Sequence, residues 1–305
     1  MKVNGQQVDI SAAIATLPAG LQQALLDHFS SGAAPGYFSP AEVLQLMQQY
    51  NWTLQQLMNA LVPVATQFAS PAISNYKVGA VVHGVSGALY FGANIEFVTE
   101  ALSFTVHAEQ ASIAHAISYG EVGVDYLAIS AAPCGYCRQF LWEISNCATT
   151  PDINVLINNS NYMLSSLLPL PFGPGDLGFN TRLMQPQNNQ LQLSPPSSDP
   201  IIIAALAAAN SSYSPYTSDF SGICIQTTYG ATYIGGYAEN AAYNPSMSPL
   251  EAALVLLTMY GDSYQYISRV VLVEATASKC SQFEASTDVL AAIAPAVTLE
   301  YYKAN

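Results

Sequence analysis

His107-Ala108-Glu109, followed by Pro133-Cys134-Gly135-Tyr136-Cys137, are the residues best suited to act together in chemistry. Imidazole nitrogen and thiolate sulfur are zinc ligands, and a set of three leaves a fourth position for water. Cys134 and Cys137 are three apart, so one helical turn brings both sulfurs to one side. A helix N-terminus at that point also favours thiolate over thiol. Glu109 is the candidate proton carrier beside such a water. One constraint must be met. In mid-helix, His107 and Glu109 would point about 200° apart. Only at a first turn, entered from Thr105, can both approach one metal. A closed structural site is the competing reading. Its fourth ligand would be Cys147, but Glu109 then has no purpose.

Composition narrows the partner. The chain has 305 residues, of which 51% are hydrophobic and 9% charged. Seven Lys plus Arg face twenty Asp plus Glu, a formal charge of −13. Phosphate binding needs clustered cations, so nucleic acid is excluded as a partner, and an anionic membrane surface with it. A small uncharged substrate fits. Met1 to Ile10 has no apolar core of a secretory signal, and the longest apolar run, Pro200 to Ala209, is too short to span a bilayer. Five cysteines, an odd number, read as reduced thiols in the cytoplasm.

The elements that must position these residues are partly legible. Ser39-Pro40-Ala41-Glu42 and Thr53-Leu54-Gln55-Gln56 are helix starts, and Leu57, Leu61, Val64 and Phe68 make one apolar face. Two strands follow, near 78–84 and 88–92, around a Val85-Ser86-Gly87 turn. A helix over 106–119, a strand over 126–130 and a helix over 134–144 complete the pattern. It predicts an α/β fold, a mixed sheet covered by helices. The expected division is a helical segment over 1–52, a zinc domain over 53–155, a connection over 156–199 and a second domain over 200–305.

The chain also repeats itself. Gly92-Ala93-Asn94-Ile95-Glu96 aligns with Gly235-Gly236-Tyr237-Ala238-Glu239, Glu109 with Glu251, and Cys137-Arg138-Gln139-Phe140 with Cys280-Ser281-Gln282-Phe283. This alignment puts Pro249 at His107 and Ala277 at Cys134, so the second copy should hold no metal. His115 reads as core. His28 and His83 have no partners at ligand spacing, and Cys147 and Cys224 are most simply buried.

His-x-Glu followed by Pro-Cys-x-x-Cys is the general pattern of zinc deaminases. Beyond it, Ser74-Asn75-Tyr76-Lys77-Val78-Gly79-Ala80, Gly92-Ala93-Asn94-Ile95-Glu96-Phe97 and Pro133-Cys134-Gly135-Tyr136-Cys137-Arg138-Gln139-Phe140 resemble cytidine deaminases. The chain is similar to the two-domain, homodimeric bacterial type over nearly its whole length. The resemblance implies a three-layer α/β/α fold, duplicated, with one Zn2+ per chain. It implies hydrolytic deamination of cytidine and deoxycytidine to uridine and deoxyuridine in pyrimidine salvage. By position, His107, Cys134 and Cys137 hold zinc and Glu109 moves the proton. Asn94 and Glu96 bind the ribose 3′-hydroxyl. Tyr76, which stands where the family often has Phe, lies near the nucleoside. Backbone at Ala108 and Ala132 reads the pyrimidine edge. Phe172 approaches the base, in cis or across a dimer, and Arg138 offsets thiolate charge. A non-catalytic, zinc-stabilised nucleoside-binding protein is the alternative.

Overall fold

The structure, a computed structural model, describes residues 2–3, 6–7, 10–30, 35–145 and 152–305. A small ladder, β1 (Lys2–Val3) with β2 (Gln6–Gln7), precedes helices α1 (Ile10–Ile14) and α2 (Ala19–Ser30). Strand β3 (Tyr37–Phe38) leads into α3 (Pro40–Tyr50) and α4 (Leu54–Ala65). Both helix starts expected from the sequence are formed. Ser39 and Thr53 are N-caps with reciprocal boxes to Glu42 and Gln56.

The first main unit holds β4 (Gly79–Gly84), β5 (Leu89–Ala93), α5 (Ala108–Ser118), β6 (Val124–Ile129), α6 (Gly135–Trp142), β7 (Asn154–Ile157), β8 (Ser160–Met163) and α7 (Leu164–Leu167). Its sheet runs β3-β5-β4-β6-β7-β8, with β6 and β7 parallel and the other neighbours antiparallel. The sheet thus draws β3 from the N-terminal segment and β8 from the stretch expected to be connection. The second unit holds α8 (Pro200–Ser211), β9 (Ser221–Thr227), β10 (Thr232–Gly236), α9 (Pro249–Met259), β11 (Ile267–Ala275), α10 (Phe283–Ile293) and β12 (Leu299–Ala304). Its sheet, β10-β9-β11-β12, has the same pattern, with β11 and β12 parallel.

Two glycines make each sheet a middle layer. Directly opposed residues of an antiparallel pair share a face, so Ala80 and Gly92 look one way and Gly79 and Ala93 the other. A Cβ on Gly92 would lie well inside 3.0 Å of Ser112 N and Ala108 O, and one on Gly79 equally close to Thr66. Helix α5 therefore presses on one face, and the end of α4 on the other. Gly235 meets Pro249 O and Ala253 N, and Gly222 meets Ala205 O and Ala209 N, in the same way. The duplication is a repeat of close backbone approaches, not only of letters. This is the duplicated three-layer α/β/α fold with a helical lead-in. The two units meet where α5 packs on α9, and the equivalent tyrosines at their ends, Tyr119 and Tyr260, join hydroxyls at 3.0 Å.

The glycine contacts also correct the register of the repeat. Ala108 O and Pro249 O occupy equivalent places, so His107 corresponds to Ser248, not to Pro249. His107 and Ser248 are the N-caps of α5 and α9, and Gln110 and Glu251 both fill the third position of a capping box. Glu251 is thus the counterpart of Gln110, and Leu250 that of Glu109. Letter identity sets Glu109 opposite Glu251, one residue out of the helical register. The physical role of Glu251, capping Ser248 N at 2.8 Å, sets the true register.

Candidate active site

The constraint on His107 and Glu109 is met by the helix start. His107 is the N-cap of α5, extended at φ −83° and ψ 154°, so its side chain is not bound to the helical period. Glu109 is the second helical residue. The N-cap is held from Gln110, whose Oε1 accepts from His107 N at 3.3 Å. The Gln110 amide in turn donates to Pro245 O of the second unit at 3.2 Å. Cys134 is likewise the N-cap of α6, and Cys137 lies in its first turn.

These two helix starts bring three ligand atoms together. Cys134 Sγ is 3.7 Å from Cys137 Sγ and 3.6 Å from His107 Nδ1, and Cys137 Sγ is 3.2 Å from His107 Nδ1. A tetrahedral zinc with ordinary bond lengths sets S···S at about 3.8 Å and S···N at about 3.5 Å. The donor set and spacing therefore fit the ion. Cys137 is fully buried while Cys134 is exposed, so the group opens to solvent on one side. Among the described residues it is the one cluster of three or more His, Cys, Asp or Glu side chains able to hold a metal. Cys147 lies outside the described residues.

The electrostatics suit the donors. The Cys134 thiol is pulled down to about 5, chiefly by its hydrogen bond with Cys137, whose own thiol is pushed up by that bond and by burial. A dication between them demands both thiolates. Glu109 is 3% exposed and lies against the Cys137 thiol. Burial pushes its carboxyl above the usual range. A carboxyl raised this way is a stronger base toward a water proton.

The other expected residues fall into two groups. Asn94 and Glu96 are buried and engaged with the loop before β4. Asn94 Oδ1 accepts from Val78 N at 2.9 Å, and its amide donates to Tyr76 O at 3.0 Å. Glu96 accepts from Ile73 N and Ser74 N, each at 2.8 Å, and from Ser74 Oγ at 2.5 Å. These bonds hold its carboxyl below the ordinary range despite burial. Ala108 is buried at the first position of α5, and Ala132 is exposed just before Pro133. Tyr76 and Phe172 are exposed, at 62% and 44%. Arg138 bonds Pro133 O at 2.8 Å and Leu167 O at 2.9 Å, so its charge braces backbone carbonyls rather than the sulfurs. His115, expected in the core, is fully buried and held neutral, its pKa lowered to about 4 by burial. His28 and His83 pair with Glu42 and Asp125. Sequence reasoning missed Gln110 and Tyr136. The Tyr136 ring lies 5.4 Å from that of His107. Gln110 could have been found, since it stands three residues after the N-cap.

A zinc-binding deaminase is the class this fold and donor set define. Residues 52–149 and residues 164–287 each match the family described as the cytidine and deoxycytidylate deaminase zinc-binding region. The chain is 40% identical to a cytidine deaminase of Shewanella oneidensis over 289 residues, 94% of this chain and 95% of that one. Its identity to one of Photorhabdus laumondii is 40%, covering 91% and 93%, and to one of Vibrio atlanticus 37%, covering 96% and 98%. A crystal structure of the Mycobacterium tuberculosis cytidine deaminase is 27% identical, with a TM-score of 0.35, covering 39% of this chain and 96% of that one. The chain belongs to the zinc-dependent cytidine deaminases. No described helix is long and apolar enough to cross a membrane.

Proposed function

We propose that His107, Cys134 and Cys137 hold the zinc of a hydrolytic deamination of cytidine and deoxycytidine, with Glu109 as proton carrier. The observation that carries this reading is the ligand triangle with a buried carboxyl against it. Zinc supplies an activated water at neutral pH when bound. Glu109 would carry a proton from the attacking water to N3 of cytosine, which makes C4 electrophilic. After attack, Glu109 would take the remaining proton from the new C4 hydroxyl and pass it to the exocyclic amine, which leaves as ammonia as the C4 carbonyl forms. Asn94 and Glu96, with the loop they hold, form the sugar side. Backbone at Ala108 and Ala132 reads the pyrimidine, with Tyr76 and Phe172 at the mouth. The chemistry resides in 53–155, the metal-free copy is 200–305, 156–199 joins them, and 1–52 is the lead-in. A reduced thiol pair suits pyrimidine salvage in the cytoplasm.

Turnover of cytidine, followed by loss of cytosine absorbance and release of ammonia, tests this reading. Tight nucleoside binding by the zinc-loaded chain without ammonia release would favour the non-catalytic alternative. Asn94→Ala should raise KM about tenfold, the value of one or two hydrogen bonds, with zinc content unchanged. Unaltered kinetics for both Asn94→Ala and Glu96→Ala would refute their place on the sugar.

The mouth also carries apolar side chains that a single chain leaves to water. Ile73, Tyr76, Val98, Leu102 and Phe172 are exposed, Leu102 at 72%, on the loops beside Glu96 and Gln139. Such a surface marks an interaction site, and we assign it to a homodimer that closes the mouth. Native mass should equal two chains. A fully active single chain would remove this role.

A further inference from the structure

We propose that Glu143 is a positioning residue for the zinc helix, gripped by the metal-free copy through its counterpart of the sugar-side loop. The inference rests on the zinc reading of Cys134 and Cys137. Helix α6 is only eight residues long, Gly135–Trp142. Cys134 and Cys137 sit at its N-terminal end, and Glu143 is its C-cap. The helix is about 12 Å long, so a tilt of about 5° about its far end moves its start by about 1 Å. Zinc–ligand distances tolerate deviations of only about 0.2 Å. Whatever fixes the far end therefore matters at the sulfurs.

Glu143 is a costly residue for that place. It is 0% exposed, and a carboxylate at a helix C-terminus faces the negative end of the macrodipole. The bonds that offset these costs cross to the second unit. Its Oε1 accepts from the Tyr213 hydroxyl at 2.8 Å and from the Tyr216 hydroxyl, and its Oε2 accepts from Ala241 N at 3.0 Å. One turn nearer the metal, Gln139 and Asn240 bond each other twice. Asn240 Nδ2 donates to Gln139 O at 3.0 Å, and Gln139 Nε2 to Asn240 Oδ1 at 3.2 Å.

The donors have a defined ancestry within the chain. Tyr213 N bonds Tyr237 O and Glu239 N bonds Tyr213 O, as Ser70 N bonds Asn94 O and Glu96 N bonds Ser70 O. Tyr216 N and Thr217 N donate to Glu239 as Ile73 N and Ser74 N donate to Glu96. Asn75 and Ser218 share a positive φ, 57° and 60°. The loop is thus the same device in both copies. In the first it stands beside the proposed sugar side. In the second, where Tyr237 replaces Asn94, its tyrosines hold a carboxylate of the catalytic unit. This explains why a copy without metal ligands keeps its loop and its clamping Glu239.

The experiment uses the zinc-loaded full chain and three variants: Glu143→Gln, Tyr216→Phe and Tyr119→Phe. The last removes the Tyr119–Tyr260 bond, which crosses the same interface without touching α6. Zinc release to a coloured chelator, the unfolding midpoint, and kcat and KM for cytidine are measured for each. Glu143→Gln and Tyr216→Phe should release zinc about tenfold faster, as loss of a group that orients ligands does. Their kcat should fall with KM little changed. Tyr119→Phe should lower the midpoint and release zinc at the wild-type rate. Release at the wild-type rate from Tyr216→Phe and any soluble Glu143→Gln overturns the proposal. If Glu143→Gln does not fold, Tyr216→Phe decides alone, because it leaves the carboxylate two donors. A wild-type chain that takes up no zinc overturns the zinc reading, and the positioning role falls with it, so the two failures are distinguishable.

Discussion

Glu109→Gln should keep its zinc and lose turnover by about 10²- to 10⁴-fold, the contribution of a placed proton carrier. The amide has the shape of the carboxyl, so the buried site is neither emptied nor overfilled. Nor is Glu109 one of the three ligand atoms at the metal triangle. What the substitution removes is the capacity to accept a proton from water and pass it to N3. Two thiolates already cancel the formal charge of zinc, which makes the metal a weaker acid than one held by three imidazoles. The carboxyl must therefore supply more of the proton traffic. Metal content and rate are measured on the same sample. A rate within tenfold of wild type, with zinc in place, would remove Glu109 from the mechanism.

The metal triangle was legible in the sequence because identity and short spacing carry it. Imidazole and thiolates at His107, Cys134 and Cys137 have few other uses together, and two helix starts suffice to join them. The helix starts at Ser39 and Thr53 were legible for the same local reason. Strand β3 was not. Two residues, Tyr37 and Phe38, have no periodicity, and they are a strand only because β5 offers an edge to pair with. The register of the second copy is also carried by a local signal. Ser248-x-x-Glu251 is a capping box, which makes Ser248 the N-cap and the counterpart of His107. Glu143 carried no local signal at all. A glutamate after a helix reads as a solvated charge until Tyr213 and Tyr216, some seventy residues on, are placed against it. Gly92 and Gly235 gave the repeat its letters, but only the helix backbone pressed against each explains why they are glycine.

Cys137→Ala should empty the metal site and abolish turnover, whereas Cys280→Ala, at the equivalent position of the second copy, should leave one zinc per chain. The two cysteines differ in what surrounds them. Cys137 Sγ has Cys134 Sγ and His107 Nδ1 within 3.7 Å and 3.2 Å. Removing it leaves two ligands, too few for a retained zinc. Cys280 Sγ instead lies 3.4 Å from Thr217 Oγ1 and 3.4 Å from Asp219 Oδ2. The N-cap of α9 is Ser248, a hydroxyl where the first copy has an imidazole, and in the sequence repeat Ala277 aligns with Cys134. Burial and the Asp219 carboxylate beside it push the Cys280 thiol up to about 11. What it lacks is the imidazole and the second sulfur that complete the donor set of the first copy. Matching the zinc-binding family twice thus does not imply two metals, because the fold outlasts the donors. Metal analysis of the wild-type chain should give one zinc, Cys280→Ala one, and Cys137→Ala none. Two zincs in the wild type, one of them lost with Cys280, would show that the second copy still binds metal through donors other than the described ones.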